Sequence, residues 1–227
     1  MTKSSNSGWV HCLQDYVDMF ALDEQDLKRK ILDYPAKISC FNAEMHAKGC
    51  DNVVSADPKY DLSPLDMVKH VGYVIQDLSE SLDCYVDHLQ GEGEQEIENL
   101  LNVWNQYAQQ FLADYSDGLH TRRYQMARMP SLPFEDSQFE LALCPDILLT
   151  ENGYSMVEVV SEVCRVAKEV RIFPLLDDSG EIAEELGPVM LALQQSNLGL
   201  EVKQVAYKLH KKNNAMLRIW AKECVVD

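Results

Sequence analysis

Short apolar runs of strand character alternate with amphipathic helical stretches along most of this 227-residue chain, which predicts a three-layer α/β/α sandwich built on a mostly parallel sheet. Two further observations refine the expectation. The last two runs, residues 200–207 and 215–221, alternate apolar and polar positions and close the chain as an antiparallel pair. Residues 63–115 stay helical throughout, whereas a crossover between parallel strands needs only about a dozen residues, so this stretch is a helical insertion within one domain spanning 1–227.

The elements follow in order. Residues 9–27 have helical spacing, with Tyr16, Phe20 and Leu27 as the apolar points. Residues 28–33 form a short strand that ends in Asp33. Ser39 is placed to cap a helix over 39–48, because a serine hydroxyl can accept one of the first unpaired amides. Residues 52–56 are a second strand, followed by Asp57-Pro58. Within the insertion, Val71, Val74 and Leu78 mark one face and Ile97, Leu101, Trp104, Tyr107 and Phe111 another, with a break at Gly91-Glu92-Gly93-Glu94. Residues 123–126, 139–144 and 170–174 supply three more strands, and 157–167 and 182–195 the helices around the last of them. With the closing pair this makes seven strands.

Lys and Arg total 20 against 37 Asp and Glu, a formal net charge of −17. Such a surface repels phosphate backbones and anionic lipid, so non-specific nucleic-acid binding is not expected, and a neutral or cationic substrate is the easier partner. The seven cysteines (Cys12, Cys40, Cys50, Cys84, Cys144, Cys164 and Cys224) are odd in number and show no C-x-x-C pair, which fits reduced thiols in a cytoplasmic protein and no zinc site. The six histidines (His11, His46, His70, His88, His120 and His210) have no metal-ligand spacing. No run is long and apolar enough to span a bilayer, and the first eight residues lack the apolar core of a signal peptide.

In an open parallel sheet, ligands bind beyond the carboxyl ends of the strands. The residues there are Asp33, Asp57, the segment 127–133, and Cys144 to Asp146. An acid closing the first strand and another closing the second, at roughly the 20-residue spacing of a nucleotide-binding unit, places Asp57 to accept from ribose hydroxyls. The same two residues equally serve as a helix cap and an Asp-Pro turn. Tyr34, Tyr60 and Asp146 are the polar groups placed to face a substrate. No G-x-S-x-G elbow occurs.

Residues 131–144, Ser-Leu-Pro-Phe-Glu-Asp-Ser-Gln-Phe-Glu-Leu-Ala-Leu-Cys, carry more information. They resemble the L-P-F-x-D-x-x-F-D-x-h-x-x pattern of class I S-adenosylmethionine-dependent methyltransferases. Further segments resemble a bacterial subgroup of that family whose substrates are generally unassigned: 16–33, 39–45, 111–115, 163–176 and 214–217. The resemblance implies a Rossmann-like fold, S-adenosyl-L-methionine as cofactor, and a small-molecule or protein methyl acceptor. It also implies that Leu132 and Pro133 flank adenine and that Asp57, with Pro58 beside it, holds the ribose. Asp33, Tyr34, Ala36 and Ser39 would hold the methionine end, and Cys144 would reach the ligand edge of the sheet. Tyr60 and Asp146 would then meet the substrate beneath the insertion.

The sequence departs from that family at several ligand-facing positions. The glycine-rich loop after the first strand reads Asp33-Tyr34-Pro35-Ala36-Lys37-Ile38-Ser39, with no glycine to let the backbone approach a cofactor. Lys37 and Ile38 add bulk, although Lys37 also offers a cation to the methionine carboxylate. Arg128 stands where many members carry an acid that accepts from the adenine amino group. Pro145-Asp146 replaces a polar pair, and Lys211-Lys212-Asn213 a glycine pair. Two functions remain open: methyl transfer to an unidentified acceptor, or an inactive domain of the same fold that serves as a binding or scaffolding module, with a protein partner on its insertion. A dinucleotide oxidoreductase is disfavoured by the missing G-x-G-x-x-G turn and by the closing strand pair.

Overall fold

The computed structural model describes residues 9–85, 94–149, 153–177, 180–207 and 215–222. Its strands are β1 (Ile31–Asp33), β2 (Val53–Asp57), β3 (Tyr124–Met126), β4 (Leu141–Pro145), β5 (Glu169–Phe173), β6 (Leu198–Gln204) and β7 (Ala215–Ala221). Its helices are α1 (Leu13–Phe20), α2 (Phe41–Ala47), α3 (Pro64–Tyr85), α4 (Glu94–His120), α5 (Met156–Val166) and α6 (Leu186–Gln195). The strands form one seven-stranded sheet in the order β3-β2-β1-β4-β5-β7-β6. The first five pair in parallel, and β7 runs antiparallel between β5 and β6. This is the Rossmann-like, mostly parallel sheet with an antiparallel last strand that the sequence predicts.

Both faces of the sheet are covered, so its central strands are apolar on both sides. Strand alternation sorts the side chains. Leu32, Ala142, Cys144, Val170, Ile172 and Leu217 join α5 and α6 in one core. Ile31, Leu141, Leu143, Phe173 and Met216 join α1 and α2 in the other. A third cluster seats the insertion: Tyr60, Phe111, Tyr115 and Tyr124 lie with ring centroids 5.3–6.0 Å apart. Gly118 lets α4 approach this cluster, since a Cβ there would fall 2.1 Å from a Tyr124 ring carbon.

The element boundaries have local causes. α1 starts only at Leu13 and stops at Ala21, whose left-handed φ of 48° ends the helix, and residues 26–28 form a 3₁₀ turn rather than extending β1. α2 begins at Phe41, two residues later than the sequence predicts. Ser39 Oγ donates to the His11 carbonyl and accepts the Phe41 amide, so Ser39 lies outside the helix it was expected to cap. The insertion runs on to His120 instead of ending at 115. α6 starts at Leu186, because Ile182 is held in a bridge with Leu176. Gly91 to Gly93, His88, His210, Lys211 to Asn213 and Cys224, all singled out from sequence, lie outside the described residues. Among those described, no helix is long and apolar enough to cross a membrane.

Candidate functional site

The strand order changes direction between β1 and β4, and a cavity of about 950 Å³ opens beside the carboxyl ends of β1 and β2. This is where an open α/β sheet binds ligands, and the volume is at the upper end for small-molecule sites. Tyr34, Lys37 and Ile38 line it from the loop after β1, Asp57, Pro58, Lys59 and Tyr60 from the end of β2, and Arg128 and Met129 from the end of β3. Helix α3 forms the opposite wall through Met67, His70, Val74 and Leu78, at helical spacing, with Tyr73 and Tyr154 also contributing.

Asp57 organises the rim. Its Oδ2 accepts the Lys37 amide at 2.9 Å and its Oδ1 accepts the Lys59 amide at 2.8 Å. The carboxyl therefore turns the chain after β2 and also fastens the loop after β1. Burial pushes its pKa up, opposed by those two amide bonds. An ionised carboxylate offers about four lone-pair positions, so two amides leave it able to accept from a ligand hydroxyl.

The glycine-free loop takes a left-handed turn without glycine: Lys37 has φ 50°. Asp57 holds its amide, the buried Tyr60 hydroxyl donates to its carbonyl at 2.8 Å, and its ammonium reaches Asp146 Oδ2 at 3.0 Å. Asp146, just past β4, is also left-handed, at φ 52°, and its amide donates to the Phe173 carbonyl. His11 lies behind this pair, where the backbone of 9–12 crosses the loop. Its carbonyl accepts the Cys40 amide, and its imidazole is held below the ordinary value by burial.

Of the residues expected from sequence, Tyr34, Asp57, Pro58 and Tyr60 line the cavity. Asp33 does not. It is fully buried beneath the rim, accepting from Tyr16 Oη and Ser55 Oγ, and burial raises its carboxyl to about 7. Ala36 is buried with its amide on the Ala56 carbonyl. Leu132 and Pro133 lie outside the lining: Leu132 sinks into the core while its amide donates to Glu162, and Pro133 is exposed. Met129 is the residue of that segment which reaches the cavity. Cys144 faces the α5 core, because alternation along β4 turns it away from the rim, and burial raises its thiol pKa strongly. Arg128 turns to the Pro58 carbonyl and to the Asp61 carboxylate.

His70 had no signal in the sequence beyond its residue type. It becomes a wall residue because α3 faces the carboxyl end of β2 across the cavity, and burial and the nearby Lys59 lower its pKa, with Asp57 opposing. Elsewhere His46, Asp114 and Asp117 bring possible ligand atoms within 4.8 Å of one another. Arg123 already bonds both aspartates there, at 2.7 Å and 3.2 Å, which places a fixed positive charge against that cluster. Five described cysteines, Cys12, Cys40, Cys50, Cys144 and Cys164, are free thiols.

No family model matches the sequence. The chain is 28% identical over 222 residues to an uncharacterized protein of the archaeon Methanocaldococcus jannaschii, an alignment that covers 90% of this chain and 91% of that protein. Among solved structures it is similar to a SAM-dependent methyltransferase from Aquifex aeolicus, at TM-score 0.30 and 15% identity over 53% of this chain and 73% of that one. It is also similar to an O-methyltransferase from neocarzinostatin biosynthesis, solved with S-adenosyl-L-homocysteine and 1,4-dihydroxy-2-naphthoic acid, at TM-score 0.35 and 11% identity over 56% of this chain and 45% of that one. A third similar structure is a SAM-dependent methyltransferase from Methanosarcina mazei, at TM-score 0.28 and 17% identity over 44% and 68% of the two chains.

Proposed function

We propose that this protein binds S-adenosyl-L-methionine at the end of β1 and β2 and transfers its methyl group to an acceptor held under α3. The observation that carries this reading is Asp57. It is an acid at the end of β2, on the rim of a large cavity, beside the point where the strand order reverses. The resemblance of residues 131–144 to the methyltransferase pattern, and of 16–33 and 163–176 to the bacterial subgroup, supports it from the sequence side.

When bound, the cofactor supplies an electrophilic methyl group on a sulfonium. The chain's own part is to orient and to exclude water. Asp57 keeps spare acceptor positions for ribose hydroxyls. Tyr34, Ile38, Met129 and Val159 give the apolar walls that a nucleoside needs. His70, kept neutral by burial in the opposite wall, is placed to take a proton from an acceptor hydroxyl or amine.

A second reading keeps the binding and drops the chemistry. The glycine-free loop is already satisfied by Asp57, Tyr60 and Asp146, as a domain serving only as a scaffold would have it. Isothermal titration calorimetry with S-adenosylmethionine and S-adenosylhomocysteine decides the first step. Micromolar binding that Asp57→Ala weakens at least ten-fold supports the proposal. The absence of heat and of any thermal shift at millimolar ligand rejects it.

A further inference from the structure

The sheet has two edges of unequal length. β3 is three residues long, whereas β6 is seven and, among the described residues, pairs only with β7. Alternate residues of β6 therefore turn their amides and carbonyls away from the sheet, and Glu201, Val202, Lys203 and Gln204 are all exposed. An open edge of this length is a template for another strand. Alternation puts Glu201 and Lys203 on one face and Val202, 53% exposed, on the other. Arg218 of β7 lies 3.6 Å from Glu201 and 2.9 Å from Glu169. A carboxylate offers about four acceptor positions, so Glu201 keeps room for a second cation.

We infer that β6 is a homodimer interface, at which the β6 strands of two copies pair antiparallel about a two-fold axis through Val202 and extend one sheet across both. The charges of the strand select both the occupant and the register. A two-fold axis perpendicular to the sheet keeps every side chain on its own face, so it passes through a residue and not between two. Through Glu201 or through Lys203 it sets a like charge directly opposite itself, which is unfavourable. Through Leu200 it sets the two charges opposite Gly199 and Asn197, and through Gln204 opposite Tyr207 and Val205, so neither charge is matched. Through Val202 it sets Glu201 of each copy opposite Lys203 of the other, twice, with Val202 against its counterpart on the other face. A two-fold interface needs this kind of self-complementarity. The interface lies at the far edge of the sheet from β1 and β2 and is independent of what the cavity binds.

The test is sedimentation velocity and native mass spectrometry of the full chain at about 0.15 M salt, where repulsion between two copies of net charge −17 is screened beyond about 8 Å. The wild-type protein is expected to be a dimer at micromolar concentration. Lys203→Glu and Glu201→Lys each set like charges opposite one another in both pairs and should weaken dimerisation about ten-fold or more. Mixing these two variants restores Glu opposite Lys at both places, so they should form a heterodimer at a concentration where neither associates alone. The double variant Glu201→Lys/Lys203→Glu keeps the pairing with its signs exchanged and should dimerise as the wild type does, which covers a single variant that fails to fold. A wild type that stays monomeric at hundreds of micromolar, single variants that dimerise as the wild type does, or folded single variants whose mixture stays monomeric overturns the interface.

Discussion

The phenol of Tyr16 donates to Oδ1 of Asp33 across 2.8 Å, and both residues are shut away from solvent. Ser55 Oγ donates to the other oxygen at 2.9 Å. Two hydroxyl donors do not offset the loss of water, so the carboxyl sits at about 7, raised by burial. An unfolded Asp titrates near 3.9, so the folded protein binds this proton more tightly than the unfolded chain. Stability from this group therefore falls as pH rises from about 4 to about 7 and is level above that. Urea unfolding between pH 4.5 and 8 should show this decline in the wild type and lose it in Asp33→Asn. A parallel pH dependence in the two proteins would count against the assignment.

Glu169, the first residue of β5, gives the opposite sign through its bonds with Arg171. The buried Arg171 guanidinium bonds Asp26 at 2.8 Å, Glu169 at 2.8 Å and the Phe20 carbonyl at 2.9 Å. Burial works to raise the Glu169 carboxyl, but hydrogen bonds from Arg218 and Arg171 more than reverse this and hold it at about 2. The unfolded value is near 4.3, so this glutamate contributes stability that is present above pH 4.3 and lost as pH falls through 2. Arg171→Met should cost about 1–3 kcal/mol, since it removes the buried bonds to Asp26 and Glu169 while Arg29 still reaches both acids and Arg218 still reaches Glu169. Denaturant midpoints at pH 7 measure the loss.

Two glycines in the insertion should respond oppositely to the same methyl group. Around Gly72 in α3 an added Cβ meets nothing within 4 Å, so Gly72→Ala should stabilise by about 0.5–1 kcal/mol through helix propensity. Gly118→Ala would drive a carbon into the Tyr124 ring and should cost about 1–3 kcal/mol. Thermal melts of the two variants, compared with the wild type, should move in opposite directions.

Asp57→Ala removes the acceptor for two loop amides at once. A fall of about 1–3 kcal/mol is expected from the unpaired donors alone. Because the loop after β1 loses its anchor, S-adenosylhomocysteine should no longer raise the melting temperature. A variant with normal ligand-induced stabilisation would mean that Asp57 serves the turn only.

Most of the sheet was legible in the sequence because its central strands are apolar on both faces, its closing pair alternates, and its helices are apolar on one face. β7 occupies the predicted residues 215–221, and Asp57 stands at the end of its strand on the rim of the cavity. What was not legible depends on contacts far apart in the chain. No local pattern shows that Lys37 will meet Asp146, that α3 will bring His70 to the cavity wall facing the end of β2, or that Leu132 will turn inward once Glu162 takes its amide. Ser39 reads as a cap, and loses that place because the chain at His11 crosses the loop and claims its hydroxyl.

The short strand β1 pairs Ile31 with Val53 on one side and with Leu141 on the other. During synthesis its second neighbour does not exist until the whole helical insertion and β3 have been made. The central strand must wait with one edge open while the ribosome adds residues at about 5–20 per second, a delay of several seconds. Slowing translation across residues 64–140 should lengthen that exposure and lower the yield of folded protein.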